Sequence, residues 1–118
     1  THHASSAASD VYKRQPGSLA EAGSRSPVKA DPAAGQLLVS LRIDSEAVVR
    51  SNCIWALGRL MDQLVQPRQA EIVEALVSAL LHDGEISVRD EARTALEQLE
   101  DPLVLERLQA LINDGFIL

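Results

Sequence analysis

A chain of 118 residues with 46% hydrophobic content is long enough for one small domain, and an aromatic content of 3% leaves its core to Leu, Val, Ile and Ala. The formal charge of −6 is unevenly placed: residues 1–30 carry a net +2 and residues 31–118 a net −8, with no lysine in the second stretch. Phosphate-backbone binding depends on clustered Lys and Arg, so this balance argues against nucleic acid and against anionic membrane surfaces.

No apolar run approaches the roughly 20 residues that cross a bilayer, and no charged start leads into an apolar stretch that reads as a secretory signal. The single cysteine, Cys53, has no internal disulfide partner, which fits a reducing compartment. A cytoplasmic protein is the expectation.

Along the chain, residues 1–30 are rich in Ala, Ser, Gly and Pro and show neither helical nor strand periodicity, so they read as a flexible tail. Its opening, THHASSAASDVYKRQ, resembles a cloning-derived leader, and His2 and His3 read as a solvated terminus rather than as metal ligands. Asp31 followed by Pro32 suits a helix start, with the helix running to about Leu41. A turn at Ile43-Asp44-Ser45 precedes a second helix from about Glu46 to Gln63. There Val49, Cys53, Ala56, Leu57 and Leu60 recur at spacings of three and four, the mark of one buried face.

A third helix, about Arg68 to Leu81, buries Ile72, Val73, Leu76, Val77 and Leu80. After the turn His82-Asp83-Gly84-Glu85, Ser87 and Asp90 have the spacing of a capping box for a fourth helix that ends near Leu99. The fifth helix starts at Asp101-Pro102 and uses Leu103, Val104, Leu108 and Leu111. The result is two helical hairpins and half of a third, with repeats over about 31–62, 63–100 and 101–118.

These elements are copies of one unit. A shift of 39 residues makes ten pairs identical, among them Leu37/Leu76, Asp44/Asp83, Val49/Val88, Arg50/Arg89, Ala56/Ala95 and Leu57/Leu96. A further shift of 31 places Leu80, Asp83 and Gly84 on Leu111, Asp114 and Gly115. Self-similarity at a period of this size means stacked repeats. The two periods differ by eight residues, about Met61 to Arg68, which either lengthen the second helix or form a longer connection. Such an insertion is either a partner contact at the edge of the stack or a tolerated surface loop.

An apolar first helix, an Asp in the turn, then Val-Arg opening a second helix with a later Ala-Leu pair, resembles the HEAT repeat, particularly its short phycobilisome-lyase-like class. The residues that carry the resemblance are Asp44, Val49-Arg50 and Ala56-Leu57-Gly58, then Asp83, Val88-Arg89 and Ala95-Leu96, with Glu97 departing where the first unit has Gly58. The resemblance covers 31–118 and implies an all-α, right-handed α-solenoid of antiparallel helix pairs that serves as a protein-protein interaction scaffold. It carries over no catalytic site and no cofactor. An accessory or subunit of a bilin lyase is the alternative it implies, and a structural segment of a longer array is a further one.

Among candidate residues, Arg50 and Arg89 each stand six positions after a turn Asp. Pairs of Arg50 with Asp44 and of Arg89 with Asp83 would fix the turn or bridge neighbouring units, a structural role that outweighs ligand binding. Trp55 falls near 240° on the helical wheel, away from the main buried stripe, and Arg59 lies four residues on, within reach of the indole. Trp and Arg dominate protein interfaces, so these two are the candidate partner-binding residues; the competing reading packs Trp55 against a neighbouring unit.

Catalysis has little support, since His82 has no nucleophile partner, Ser45, Ser51, Ser78 and Ser87 suit caps or surface, and adjacent acids such as Asp90/Glu91 diverge around a helix. No Cys/His set has zinc spacing. The closing segment Gly115-Phe116-Ile117-Leu118 either belongs to a longer array or folds back as an apolar cap. In the former case the exposed face favours self-association at this edge.

Overall fold

Leu, Val and Ala at helical spacing, with Gly and Pro kept to a few positions, favour helices that bury one stripe each. The computed structural model describes residues 27–116 and contains α1 (Pro27–Ile43), α2 (Ala47–Leu60), α3 (Arg68–His82), α4 (Ile86–Gln98) and α5 (Pro102–Asn113), with a 3-10 turn over Met61–Gln63. No strand occurs among the described residues. The leader, with His2 and His3, and the last two residues, Ile117 and Leu118, lie outside them.

The helices form an all-α solenoid. α1 packs on α2 and α3 on α4 as successive hairpins, and α5 opens a third unit. The second helices, α2 and α4, pack along their length, whereas α1 and α3 touch at few points. Close packing on one side and splaying on the other put α2 and α4 on the inner side of the curve. The core is a continuous aliphatic seam in which Leu37, Val49, Ile54, Leu57, Leu60, Ile72, Leu76, Val88 and Leu96 are fully buried.

The turns repeat as the sequence does. Asp44 Oδ1 accepts the Glu46 N–H at 2.9 Å, and Asp83 Oδ1 accepts the Glu85 N–H at 3.0 Å. Asp101 caps α5 in the same way, accepting the Leu103 N–H at 2.9 Å. In each of the first two turns the Asp N–H closes the preceding helix, on Ser40 O at 2.9 Å and on Ala79 O at 3.0 Å. A carboxylate two residues ahead of an extended position can satisfy an N–H that the helix start leaves open, which is why the turn demands Asp.

Several expectations are corrected. Helix α1 begins at Pro27, ahead of Asp31-Pro32. Pro27 takes the first position, where a missing N–H costs nothing, and Pro32 lies inside the helix. Asp31 is therefore no cap; its carboxylate meets Arg68, Nε to Oδ1, at 2.9 Å. The Ser87/Asp90 capping box does not form, because Glu85 is the N-cap residue of α4 and the turn Asp83 already takes its N–H. Leu103 is 76% exposed although its equivalent, Ile72, is fully buried, since no second helix follows α5 among the described residues. Phe116 is 48% exposed, and the rest of the segment read as a possible apolar cap, Ile117 and Leu118, lies outside the described residues.

The insertion does both things that its length allows. The 3-10 turn extends α2, and an extended connection then returns to α3, with Leu64 tucked into the core at 6% exposure. The Gln69 side-chain amide donates to Met61 O at 3.1 Å and ties the connection down. Its apolar residue Val65 stays in solvent.

Candidate functional site

Ile54, Ala56 and Leu57 face the core of α2, and this fixes Trp55 on the opposite side of the helix. Trp55 is 37% exposed. Arg59, one turn later, lays its guanidinium over the ring at 4.9 Å from the centroid. Such stacking contributes about 0.5–1 kcal/mol at an exposed site and leaves the N–H groups of the fork free to meet a second molecule.

Trp55 and Arg59 stand at the rim of a pocket of about 230 Å³ between α2 and α4, which also involves Glu91, Ala95 and Gln98. Gly58 forms its floor on the α2 side. A Cβ built there would lie 3.7 Å from the Ala95 methyl, an ordinary contact distance, so the two inner helices are close at this point without requiring the glycine. The pocket thus combines an aromatic face, a cation, a carboxylate and an amide on the inner, tightly packed side of the stack. Sequence reasoning reached the first two through the helical wheel; Glu91 and Gln98 come from another unit, and only the stacking register brings them in.

The repeated arginines serve the stack instead. Arg50 donates from Nε to Asp83 Oδ2 at 2.9 Å and from Nη2 to Asp83 Oδ1 at 3.0 Å, while Nη1 reaches the Asp44 backbone carbonyl at 3.0 Å. The expected pairing with the Asp44 carboxylate is replaced by this bridge between units, because that carboxylate is turned back to its own chain at Glu46. Arg89 repeats only part of the pattern, with Nη1 on the Asp83 carbonyl at 2.6 Å.

Electrostatics follow these contacts. Burial pushes the Asp83 carboxyl up, but the Arg50 guanidinium, the Glu85 N–H and the charge of Arg89 together outweigh it and hold the group below the usual carboxylate range. The hydrogen bond to Asp83 in turn raises Arg50. On the outer side Arg107 of α5 grips Glu74 of α3 with both Nη groups, and that hydrogen bonding lowers Glu74.

Cys53 is 1% exposed, and burial, with the Asp44 carboxylate adding to it, pushes its thiol up to about 12. This is an inert core residue. The Ser40 hydroxyl is near enough to oppose that shift, yet its geometry makes no hydrogen bond, so we count the buried Oγ as unsatisfied. Among the described residues no cluster of three or more His, Cys, Asp or Glu side chains is arranged to hold a metal ion, and no helix is long and apolar enough to cross a membrane.

Comparison with curated proteins and with solved structures finds no match. The family model described as HEAT repeats matches residues 32–116. The match spans the turn aspartates, the Val-Arg starts and the stacked helix pairs described above, and the chain belongs to the HEAT repeat family.

Proposed function

We propose that the chain is a non-catalytic scaffold that binds another protein through the inner face of its second helices, with Trp55 and Arg59 as the main contacts. HEAT repeats generally mediate protein-protein interaction. The observation that carries the reading is the Arg59 guanidinium stacked over a half-exposed indole beside a polar pocket. Aromatic and arginine anchors at the edge of a pocket are the residues that dominate interface energetics. Trp55 is partly buried and Arg59 is stacked on its ring, so less side-chain freedom is lost on binding.

The narrower phycobilisome-lyase-like resemblance would make the chain a bilin-lyase accessory, and no observation on the described surface favours that reading over protein binding. A cytoplasmic location is part of the same proposal, supported by a lone buried thiol.

A two-hybrid screen with the full chain as bait tests the proposal. Preys are retested on Trp55→Ala and Arg59→Glu, with circular dichroism to verify the fold. Preys that bind wild type and lose both variants support the reading; preys that bind all three equally contradict it.

A further inference from the structure

A larger groove, about 570 Å³, runs between α1 and α3 on the outer side of the stack, away from Trp55. It exists because the first helices splay while the second helices stay packed. Leu38, Leu41 and Ala79 form an apolar floor, and Val39, 37% exposed, stands on one wall.

The two ends of the groove differ. At one end Arg68 crosses from α3 to α1, held by Asp31 at 2.9 Å and Glu71 at 2.5 Å. Its Nη2 lies 3.5 Å from where a Cβ of Gly35 would be, an ordinary contact distance, so the guanidinium rests against the α1 backbone there. At this end the arginine's charge is already taken up by two carboxylates. At the other end stand Arg42 and His82, last-turn residues of α1 and α3, both exposed.

Charge decides the occupant. Of the charged side chains that line the groove, Arg68 pairs with Glu71, Glu74 with Arg107 and Asp83 with Arg50, whereas Arg42 meets no carboxylate among the described residues. This is so although acids outnumber arginines 15 to 7 over residues 31–118. A cation left without a carboxylate at the mouth of an apolar groove, on an acidic protein, selects for an anion with an apolar neighbour.

We propose that this groove is a second docking site, for a short acidic segment of a partner protein, with apolar side chains along Leu38 and Ala79 and a carboxylate on Arg42. From Gly35 to Arg42 the groove is about 10 Å long at ~1.5 Å per helical residue, which suits about three residues of extended chain at ~3.3 Å each. The His82 imidazole and the Ser78 hydroxyl offer further polar contacts on the α3 side.

Panning a displayed random-peptide library on the full chain tests the proposal. Selected peptides are retested on Arg42→Glu, on Val39→Asp and on Trp55→Ala. Arg42 and Val39 are exposed, so both groove variants are expected to keep the wild-type circular dichroism spectrum. The expected result is peptides that pair an aliphatic residue with Asp or Glu within a few positions. These should bind about tenfold or more weakly to either groove variant, the loss of one charge-assisted contact, and equally to Trp55→Ala. Failure to enrich any peptide, peptides without an acid, or binding that survives both groove variants would overturn the proposal. Peptides lost on Trp55→Ala also count against a separate site, while leaving the inner-face reading intact.

Discussion

Arg50 on α2 and Asp83 in the turn after α3 form a two-pronged ion pair, Nε to Oδ2 at 2.9 Å and Nη2 to Oδ1 at 3.0 Å, that joins one repeat to the next. Their side chains are 15% and 9% exposed, so the pair is screened far less than a surface bridge. Arg50→Ala leaves the largely buried Asp83 carboxylate without its main partner and should cost about 2 kcal/mol. Arg89→Ala removes a single bond to a carbonyl and should cost about 1 kcal/mol or less. Arg50→Lys keeps the charge but loses the fork, and falls between the two. Urea unfolding of the three variants checks the order; equal losses for Arg50→Ala and Arg89→Ala would refute the bridging role.

Asp83 also sets a response to acid. Its carboxyl is lower in the folded chain than in the unfolded one, so its stabilising contribution is fully present above the unfolded value and is lost as pH falls through the folded one. With the ordinary Asp value at 3.8, stability should begin to fall below about pH 4 to 5. Glu74, lowered by Arg107, acts in the same direction. Asp83→Asn should be less stable than wild type at pH 7, and the gap between them should narrow as the pH falls below the ordinary Asp value of 3.8. A gap that stays constant with pH would show that the ionised carboxylate is not the stabilising species.

The α1/α2 seam holds a polar atom that stabilises nothing. Ser40 is 1% exposed and its Oγ has no hydrogen-bond partner. Ser40→Ala should therefore be neutral or stabilising by about 1 kcal/mol in thermal or urea unfolding. A loss of comparable size would mean that the hydroxyl is bonded in solution. The neighbouring Cys53 should resist a thiol reagent in the native chain and react once urea unfolds it, because its thiol is buried and shifted up to about 12.

Between α4 and α5, Glu100 holds φ at 53°, in the left-handed region that a side chain disfavours. Glu100→Gly removes that conflict and should raise stability by up to about 1 kcal/mol, read as a higher urea midpoint. A lower midpoint would show that the Glu side chain makes up for its backbone.

Much of this fold was legible because one unit is written twice. The pairs Asp44/Asp83 and Val49-Arg50/Val88-Arg89 mark the same turn and the same helix start, and the structure repeats both, down to the N–H each aspartate accepts. The partner of Arg50 was not legible. Six residues back along the chain and one unit forward through space offer equivalent aspartates, and only the register of the stack selects Asp83. The same limit hid Glu91 and Gln98 beside Trp55. Leu103 misled for a related reason: an apolar residue at the right helical spacing is buried only where a neighbour covers it. The start of α1 was missed because Asp31-Pro32 has the chemistry of a cap, while its carboxylate is needed by Arg68, 37 residues away.

Trp55, proposed above as the anchor for a protein partner, is the chain's single tryptophan and reports on its own surroundings. The most direct measurement is its fluorescence during titration with a partner from the two-hybrid screen, with and without iodide. In the free chain iodide should quench the indole, and the signal should become blue-shifted and protected when the partner binds. Trp55→Ala should also weaken binding by about 2 kcal/mol, or about thirtyfold. A partner that binds at full strength while the emission and quenching of Trp55 stay unchanged would contradict the proposed anchoring.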